Sequence, residues 1–131
     1  MYSGPLERKN DYIKYLFRHF FGYYPWSYTD AAGCLYTGDV TINDDVLPWI
    51  DMIKNRYPVG TIQIPHHGSL NSFNKALLRN GPFHCVISAG QNNGYKHPSC
   101  KVLEDILLQD MYPIVVTDDA TTGFIEYIIH K

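Results

Sequence analysis

The stretch Thr61-Ile62-Gln63-Ile64-Pro65-His66-His67-Gly68-Ser69 decides how the rest of the chain is expected to fold. It begins as a short apolar run of strand-like composition and ends in two adjacent histidines, a glycine and a serine. Histidines at the end of a buried strand, next to a glycine, are placed as metal ligands or acid/base groups would be. The rest of the chain must then supply the partners of this pair.

Length and composition are those of one globular domain. The chain has 131 residues, 45% of them hydrophobic, which is enough for one core. A net charge of −2 argues against a broad basic surface for nucleic acid. A metal site could still handle phosphodiesters, because the metal ions would carry the positive charge. No signal peptide and no apolar run of about 18 residues is present, so we expect a soluble, cytoplasmic protein without a membrane partner.

The three cysteines lie far apart and form no CxxC pair. Cys34 and Cys85 sit in apolar, strand-like runs, while Cys100 follows a proline and a serine. Buried reduced thiols are therefore expected for the first two, in preference to metal ligands.

Residues 1–33 are rich in aromatic side chains. The helical spacing of the apolar residues predicts an amphipathic helix over residues 6–21, and Gly22 would end it. Residues 23–28 then form an aromatic loop. This loop could stack a ring or a base, but a hydrophobic flap packed on its own domain is the simpler expectation.

Residues 34–131 alternate between strand-like and helix-like segments. Strands are expected at 34–40, 61–65, 84–90, 113–117 and 124–129, and helices at 46–57, at 72–78 and after Ser99. Asn43 to Asp45 offer a cap for the first helix, and Asn71 or Ser72 for the second. This order predicts a mostly parallel sheet in which the first two strands are neighbours. The last two strands are expected to pair as a hairpin.

Polar groups follow three of these strands: Asp39, the His66–His67 pair, and a loop that carries His97. Because the carboxyl ends of parallel strands share one edge of the sheet, the three groups can converge there. Asp and His ligands suit Zn²⁺, Mn²⁺ or Fe. Taken alone, Asp39 fits an ordinary turn aspartate better than a metal ligand.

Three blocks of sequence, in this order, carry a family resemblance: Thr37-Gly38-Asp39, Ile64-Pro65-His66-His67-Gly68-Ser69 and Ser88-Ala89-Gly90-Gln91-Asn92-Asn93-Gly94-Tyr95-Lys96-His97-Pro98. They resemble the second half of the metallo-β-lactamase superfamily, and within it the ComEC-like branch. The resemblance runs from about residue 35 to residue 129.

The resemblance implies that the chain is the C-terminal half of an αββα sandwich: a mixed sheet flanked by helices, with a C-terminal β-hairpin. It also implies a site for two metal ions, Zn²⁺ or alternatively Mn²⁺, in the complete domain. Asp39 and His67 would be metal ligands, and His66 would either replace His67 as the ligand or act on the leaving group.

The same resemblance implies a hydrolase, of phosphodiesterase or nuclease type, in which a metal-bound hydroxide attacks the substrate. The substrate would be a small-molecule or nucleic-acid phosphodiester. The remaining roles would be catalytic for His66 and His97, and substrate-binding for Asn93, Tyr95 and Ser69.

One departure from the family pattern limits this interpretation. The family's principal metal motif, His-x-His-x-Asp-His, has no counterpart in the chain, and complete domains run to roughly 200–250 residues. We therefore expect a single partial domain, weakly metal-binding and inactive alone, completed by an N-terminal half or by self-association. The alternatives are a non-catalytic module that pairs with another chain through an uncovered sheet face, and a small α/β domain with incidental histidines.

Overall fold

The structure is a computed structural model that describes residues 1–3, 12–19, 27–29 and 31–130. The strands are Tyr2–Ser3 (β1), Tyr12–His19 (β2), Ser27–Thr29 (β3), Gly33–Leu35 (β4), Val59–Gln63 (β5), His84–Ser88 (β6), Pro113–Val116 (β7) and Gly123–His130 (β8). The helices are Leu47–Arg56 (α1) and Cys100–Leu107 (α2), and short 3₁₀ turns lie at His66–Gly68 and Lys75–Leu78.

Within the described ranges, the strands form one sheet of five and one of three. The larger sheet has the order β1-β4-β5-β6-β7, in which β4 to β7 run parallel and β1 is antiparallel at one edge. The predicted α/β class is thus confirmed, as is the predicted pairing of β4 with β5. Since consecutive parallel strands are neighbours, their carboxyl ends lie along one edge of the sheet.

The core lies between this sheet and the helical segments. The Lys75–Leu78 turn contacts both α1 and α2, so the three segments lie side by side. Ile62 and Ile87 of the sheet and Val102 and Ile106 of α2 are completely buried in this core. Each such side chain stabilises the fold by about 1.5–3 kcal/mol relative to exposure. This packing fixes the strand ends that carry the polar residues.

Helix α1 begins where its sequence predicts. The Asn43 side-chain oxygen accepts hydrogen bonds from the backbone N–H groups of Asp45 (3.1 Å) and Val46 (3.0 Å), just before the first helical residue. Pro48 falls in the first turn, where a missing N–H costs little. The second cap differs from the prediction, because Asn74, and neither Asn71 nor Ser72, accepts the N–H of Ala76 (2.9 Å).

A buried lysine joins α1 to the turn that follows the histidines. Lys54 Nζ donates to the carbonyl oxygens of Leu77 (3.1 Å) and Arg79 (3.0 Å) and pairs with Asp51 at 2.9 Å. It also lies 5.7 Å from the centre of the Phe83 ring. Burying an ammonium group is costly unless it is paired, and here carbonyl oxygens and a carboxylate surround it.

The predicted helix over residues 6–21 is wrong where the structure describes it. Tyr12–His19 is strand β2, which pairs with β3 and, along its whole length, with β8. Tyrosine, isoleucine and phenylalanine favour strands, and long-range pairing overrides a helical spacing of apolar residues. The rest of that predicted helix, and residues 23–26 of the predicted aromatic loop, lie outside the described residues. Ser27 and Tyr28 belong to β3 and so not to a loop.

The predicted C-terminal hairpin is also wrong in its pairing. Strand β7 pairs with β6 in the larger sheet, whereas β8 pairs with β2 in the smaller one. The connecting turn is closed by side chains, since the Thr122 hydroxyl accepts the N–H of Thr117 at 2.8 Å. The turn therefore sends the chain from one sheet to the other.

Candidate functional site

The histidine pair lies in a tight left-handed turn, His66–Gly68, called the histidine turn below. Its residues have positive φ angles of 47°, 57° and 79°. The turn is fixed by backbone bonds from His66 N to Gly38 O (2.8 Å) and from Ser99 N to Gly68 O (3.0 Å). A left-handed backbone at a residue other than glycine costs about 1–3 kcal/mol. The surrounding structure therefore holds both histidines in a conformation that the chain would not choose locally.

The environment of His67 determines which of its ring nitrogens carries the proton. Its Nδ1 lies 2.6 Å from the carbonyl oxygen of Ser88, at the end of β6. Because a carbonyl oxygen only accepts hydrogen bonds, Nδ1 must carry the hydrogen. The lone pair of the neutral ring is then on Nε2, and a carbonyl partner of this kind is typical of metal-ligating histidines.

The environment of His66 is different. Its Nδ1 lies 3.2 Å from the hydroxyl oxygen of Ser72, which is buried. A hydroxyl group can donate or accept, so this bond persists whether Nδ1 is protonated or not. His66 can therefore hold or release a proton without losing its orientation. From the sequence, Ser72 was expected only as a helix cap. A lone serine gives no sequence signal that it will orient a histidine ring.

Residues 90–97, called the cleft loop below, form a unit closed by one side chain. Asn93 Nδ2 donates to the carbonyl oxygens of Gly90 (2.6 Å) and His97 (2.8 Å), and Asn93 Oδ1 accepts the N–H of His97 (2.6 Å). Tyr95 is 85% exposed and stacks on the His97 ring, at 6.0 Å between centres and 13° between planes. The loop thus presents Tyr95 and His97 together.

The histidine turn and the cleft loop face each other across an open cleft of about 730 Å³. Ring centres of His66 lie 6.0 Å from His67 and 6.1 Å from His97. The described residues that line the cleft are His66, His67, Ser69, Asn71, Ala89, Gly90, Asn93, Tyr95 and His97. Six of the seven side chains chosen from sequence are therefore brought together, and the volume suits a small ligand.

Asp39 is the seventh, and it stands apart from the others. Its side chain is exposed, and it is absent from the described lining of the cleft. The backbone bond from His66 N to Gly38 O nevertheless keeps the Gly38–Asp39 segment beside the histidine turn. Gly38 is held further by a bond from its N–H to the Gln63 side-chain oxygen (3.2 Å).

The donors present fit a divalent metal in kind but not in number. His67 offers Nε2, His66 is its neighbour in the chain, and the bond from His66 N to Gly38 O holds the segment that carries Asp39 beside them. Yet the described part of the chain contains no group of three or more His, Cys, Asp or Glu side chains arranged to hold a metal ion. Hydrolytic zinc sites take three protein ligands. The described residues alone therefore do not make a complete zinc site.

These observations define an α/β domain with a histidine cleft at the carboxyl edge of a parallel sheet. No helix in the described ranges has the length and apolar character needed to cross a membrane. The chain is similar to ComE operon protein 3 of Bacillus subtilis (strain 168), with 29% identity over 106 residues. The aligned region is 78% of this chain and 13% of that relative. No protein-family model and no solved structure matches the chain.

Proposed function

We propose that this chain carries part of the site of a metal-dependent hydrolase of the metallo-β-lactamase type, acting on phosphodiesters. The carbonyl-oriented His67, with its Nε2 lone pair directed away from Ser88, is the observation that supports this most strongly. The resemblance of the histidine blocks supports it as well, and the similarity to ComE operon protein 3 is in line with the ComEC-like branch that those blocks resemble.

In this proposal the residues of the cleft have separate roles. His67 and Asp39 would be metal ligands. Ligands from outside the described residues would complete the coordination of Zn²⁺ or Mn²⁺. His66, whose Ser72 bond tolerates either protonation state, would move a proton to the leaving group. Tyr95 and His97 offer an aromatic surface for the substrate. Substrate binding by Asn93 and Ser69 stays a prediction.

The chain should then be inactive alone, because its described residues lack a complete ligand set. We propose that it gains activity from an N-terminal half, from another chain or from a second copy. The aligned region is only 13% of ComE operon protein 3, which supports the proposal that this chain works together with further protein segments.

The first experiment is a Zn²⁺ and Mn²⁺ titration of the purified chain, followed by competition with a chromophoric chelator. We expect weak binding by the wild type, and a loss of affinity of at least about tenfold for His67→Ala. His84→Ala is the matched control, because His84 belongs to the same sheet but begins β6 at the opposite edge. Equal affinity for the wild type, His67→Ala and His84→Ala would overturn the assignment of His67.

Activity is tested by adding the segment of ComE operon protein 3 that flanks the aligned region on its N-terminal side. Hydrolysis of a chromogenic phosphodiester should appear only when both parts and metal are present. It should be lost with His67→Ala or Asp39→Ala in this chain. If the complete pair binds metal but cleaves no phosphodiester, the hydrolase proposal fails while the metal assignment stands.

The second candidate is a non-catalytic module that pairs with another chain. Trp49 and Met52, on the outer side of α1, are 66% and 52% exposed, and tryptophan and methionine are enriched at protein interfaces. Both candidates predict association, so light scattering over a range of concentrations tests the pairing, and the hydrolysis assay separates the two. A monodisperse monomer at high concentration, also in the presence of the flanking segment, would count against this reading.

A further inference from the structure

We infer that Asp118, in the turn between β7 and β8, is a positioning residue of the histidine cleft. Its Oδ1 accepts the backbone N–H of Gln91 at 2.8 Å. Gln91 is the second residue of the cleft loop, and its neighbour Gly90 lines the cleft. The carboxylate of Asp118 thus holds the base of this loop from outside.

Asn93 connects the base of the loop to His97 through hydrogen bonds. The Gly90 carbonyl oxygen accepts the Asn93 amide, and the same amide group bonds to both the N–H and the carbonyl oxygen of His97. Asp118 and Asn93 therefore grip the loop at successive points, one at its base and one across its span. Together they fix the distance of 6.1 Å between the ring centres of His97 and His66.

The second carboxylate of the turn does something else. Asp119 Oδ1 accepts the N–H and the hydroxyl of Thr121, both at 2.8 Å, and these bonds lower the pKa of Asp119. Its hydrogen bond with the cleft loop is a long one, in which Asp119 Oδ2 accepts the Gln91 side-chain amide at 3.4 Å. Asp119 stabilises the turn itself, whereas Asp118 bonds to the cleft loop. These two adjacent aspartates therefore provide a test variant and a matched control variant.

This inference rests on the proposed function only for its significance, because it concerns the geometry of the same cleft. The experiment therefore uses neither metal nor substrate. The ring protons of His97 are observed by NMR at fixed pH in protein labelled on histidine. Since the His97 ring stacks on Tyr95, a Tyr95→Leu variant defines the shift expected when that stacking is lost. Amide exchange at Gln91 is measured in parallel.

In Asp118→Ala, Gln91 exchange should accelerate about tenfold, the effect of losing one hydrogen bond to a charged group. The His97 signals should move towards their positions in Tyr95→Leu. Asn93→Ala should shift the same His97 signals. Asp118→Asn keeps an oxygen acceptor and should restore both readouts, and Asp119→Ala should leave both near their wild-type values.

Unchanged Gln91 exchange and unchanged His97 signals in Asp118→Ala would overturn the inference. It would also fail if Asp118→Asn behaved like Asp118→Ala, because the acceptor oxygen would then not be what matters. The His84 signals report whether each variant keeps the fold of the sheet. Since none of these measurements involves metal binding or turnover, they can succeed where the proposed function fails, and the reverse.

Discussion

At the carboxyl ends of the parallel strands, the chain exposes two histidines in left-handed backbone around an open cleft. At the amino ends of the same strands, Phe83, Met111 and Ile114 are buried beside a smaller cavity of about 330 Å³. There the sulfur of Met111 accepts the N–H of Phe83 and the thiol of Cys85. Left-handed backbone also occurs towards the amino ends, at Asn80 (φ 67°) and Asp110 (φ 56°), but asparagine and aspartate adopt it routinely. The carboxyl edge imposes it on two exposed histidines, while the amino edge packs apolar side chains. Such strain persists only where the surrounding structure imposes it, and it concentrates at functional sites.

The largest expected effect comes from the packing beneath the histidine edge. Ile87 is completely buried, and its Cγ2 lies 3.3 Å from the position that a Cβ on Gly68 would occupy. Ile87→Ala should lower the free energy of unfolding by about 2–5 kcal/mol, and Ile87→Val by about 0.5–1.5 kcal/mol. Urea denaturation measures both. A loss below about 1 kcal/mol for the alanine variant would show that the histidine turn does not rest on a packed core.

The next effect concerns the turn itself. Gly68 has a φ of 79°, and a Cβ there would lie 2.6 Å from Cβ of Pro98. Gly68→Ala should therefore destabilise the protein by about 1–3 kcal/mol. Gly94→Ala is the control, since a Cβ at Gly94 would meet nothing within 4 Å. Thermal unfolding should separate the two, and similar midpoints would contradict the account of the turn.

The apolar edge can be tested through its thiol. Burial raises the pKa of Cys85 from 9.0 to about 12. The folded state holds the thiol proton more tightly than the unfolded state does. The free energy of unfolding is therefore fully retained below pH 9, and it falls as the pH rises from 9 towards 12. Between pH 8 and pH 10, the wild type should therefore lose about 1 kcal/mol relative to Cys85→Ala. Parallel stability curves for the two proteins over this range would contradict the burial of the thiol.

The smallest expected effect is a reversal, between two positions, of whether glycine or alanine gives the more stable protein. At His67, where φ is 57°, glycine should be more stable than alanine by roughly 0.5–1 kcal/mol, although both lose the ring. At Met52, an exposed position in the middle of α1, alanine should be the more stable by a similar amount. Denaturant midpoints of the four variants decide the matter. Alanine being preferred at both positions would mean that the histidine turn carries no strain.

Local sequence signals predicted two of the three groups expected to meet at the carboxyl edge. Apolar strand runs followed by Gly38, by the His66–His67 pair and by the loop before Pro98 predicted three groups at one edge of a parallel sheet. The structure brings the histidine turn and the cleft loop together there, because the carboxyl ends of parallel strands must meet. Asp39 shows the limit of this reasoning: strand order places its backbone, but not the direction of its carboxylate.

Other features depended on contacts that a local pattern does not contain. The segment Tyr12–His19 has apolar residues at helical spacing, but its partner β8 lies near the other end of the sequence. The same holds for Ser72, Ser88 and Asp118, which act on the cleft through single hydrogen bonds. Whether a serine hydroxyl, a carbonyl or a carboxylate meets a particular nitrogen is decided by tertiary packing.

The pairing of β2 with β8 also has a consequence for folding during synthesis on the ribosome. Tyr12 pairs with His130 and His19 with Gly123, so β2 leaves the ribosome long before its partner exists. At a synthesis rate of about 5–20 residues per second, this strand waits roughly 5–20 s while the parallel strands β4 to β7 are translated. During that time it is an unpaired segment of strand-forming residues, of the kind that chaperones bind and that aggregates recruit. Translation speed and chaperone supply should therefore affect the yield of folded chain more than they affect its final stability.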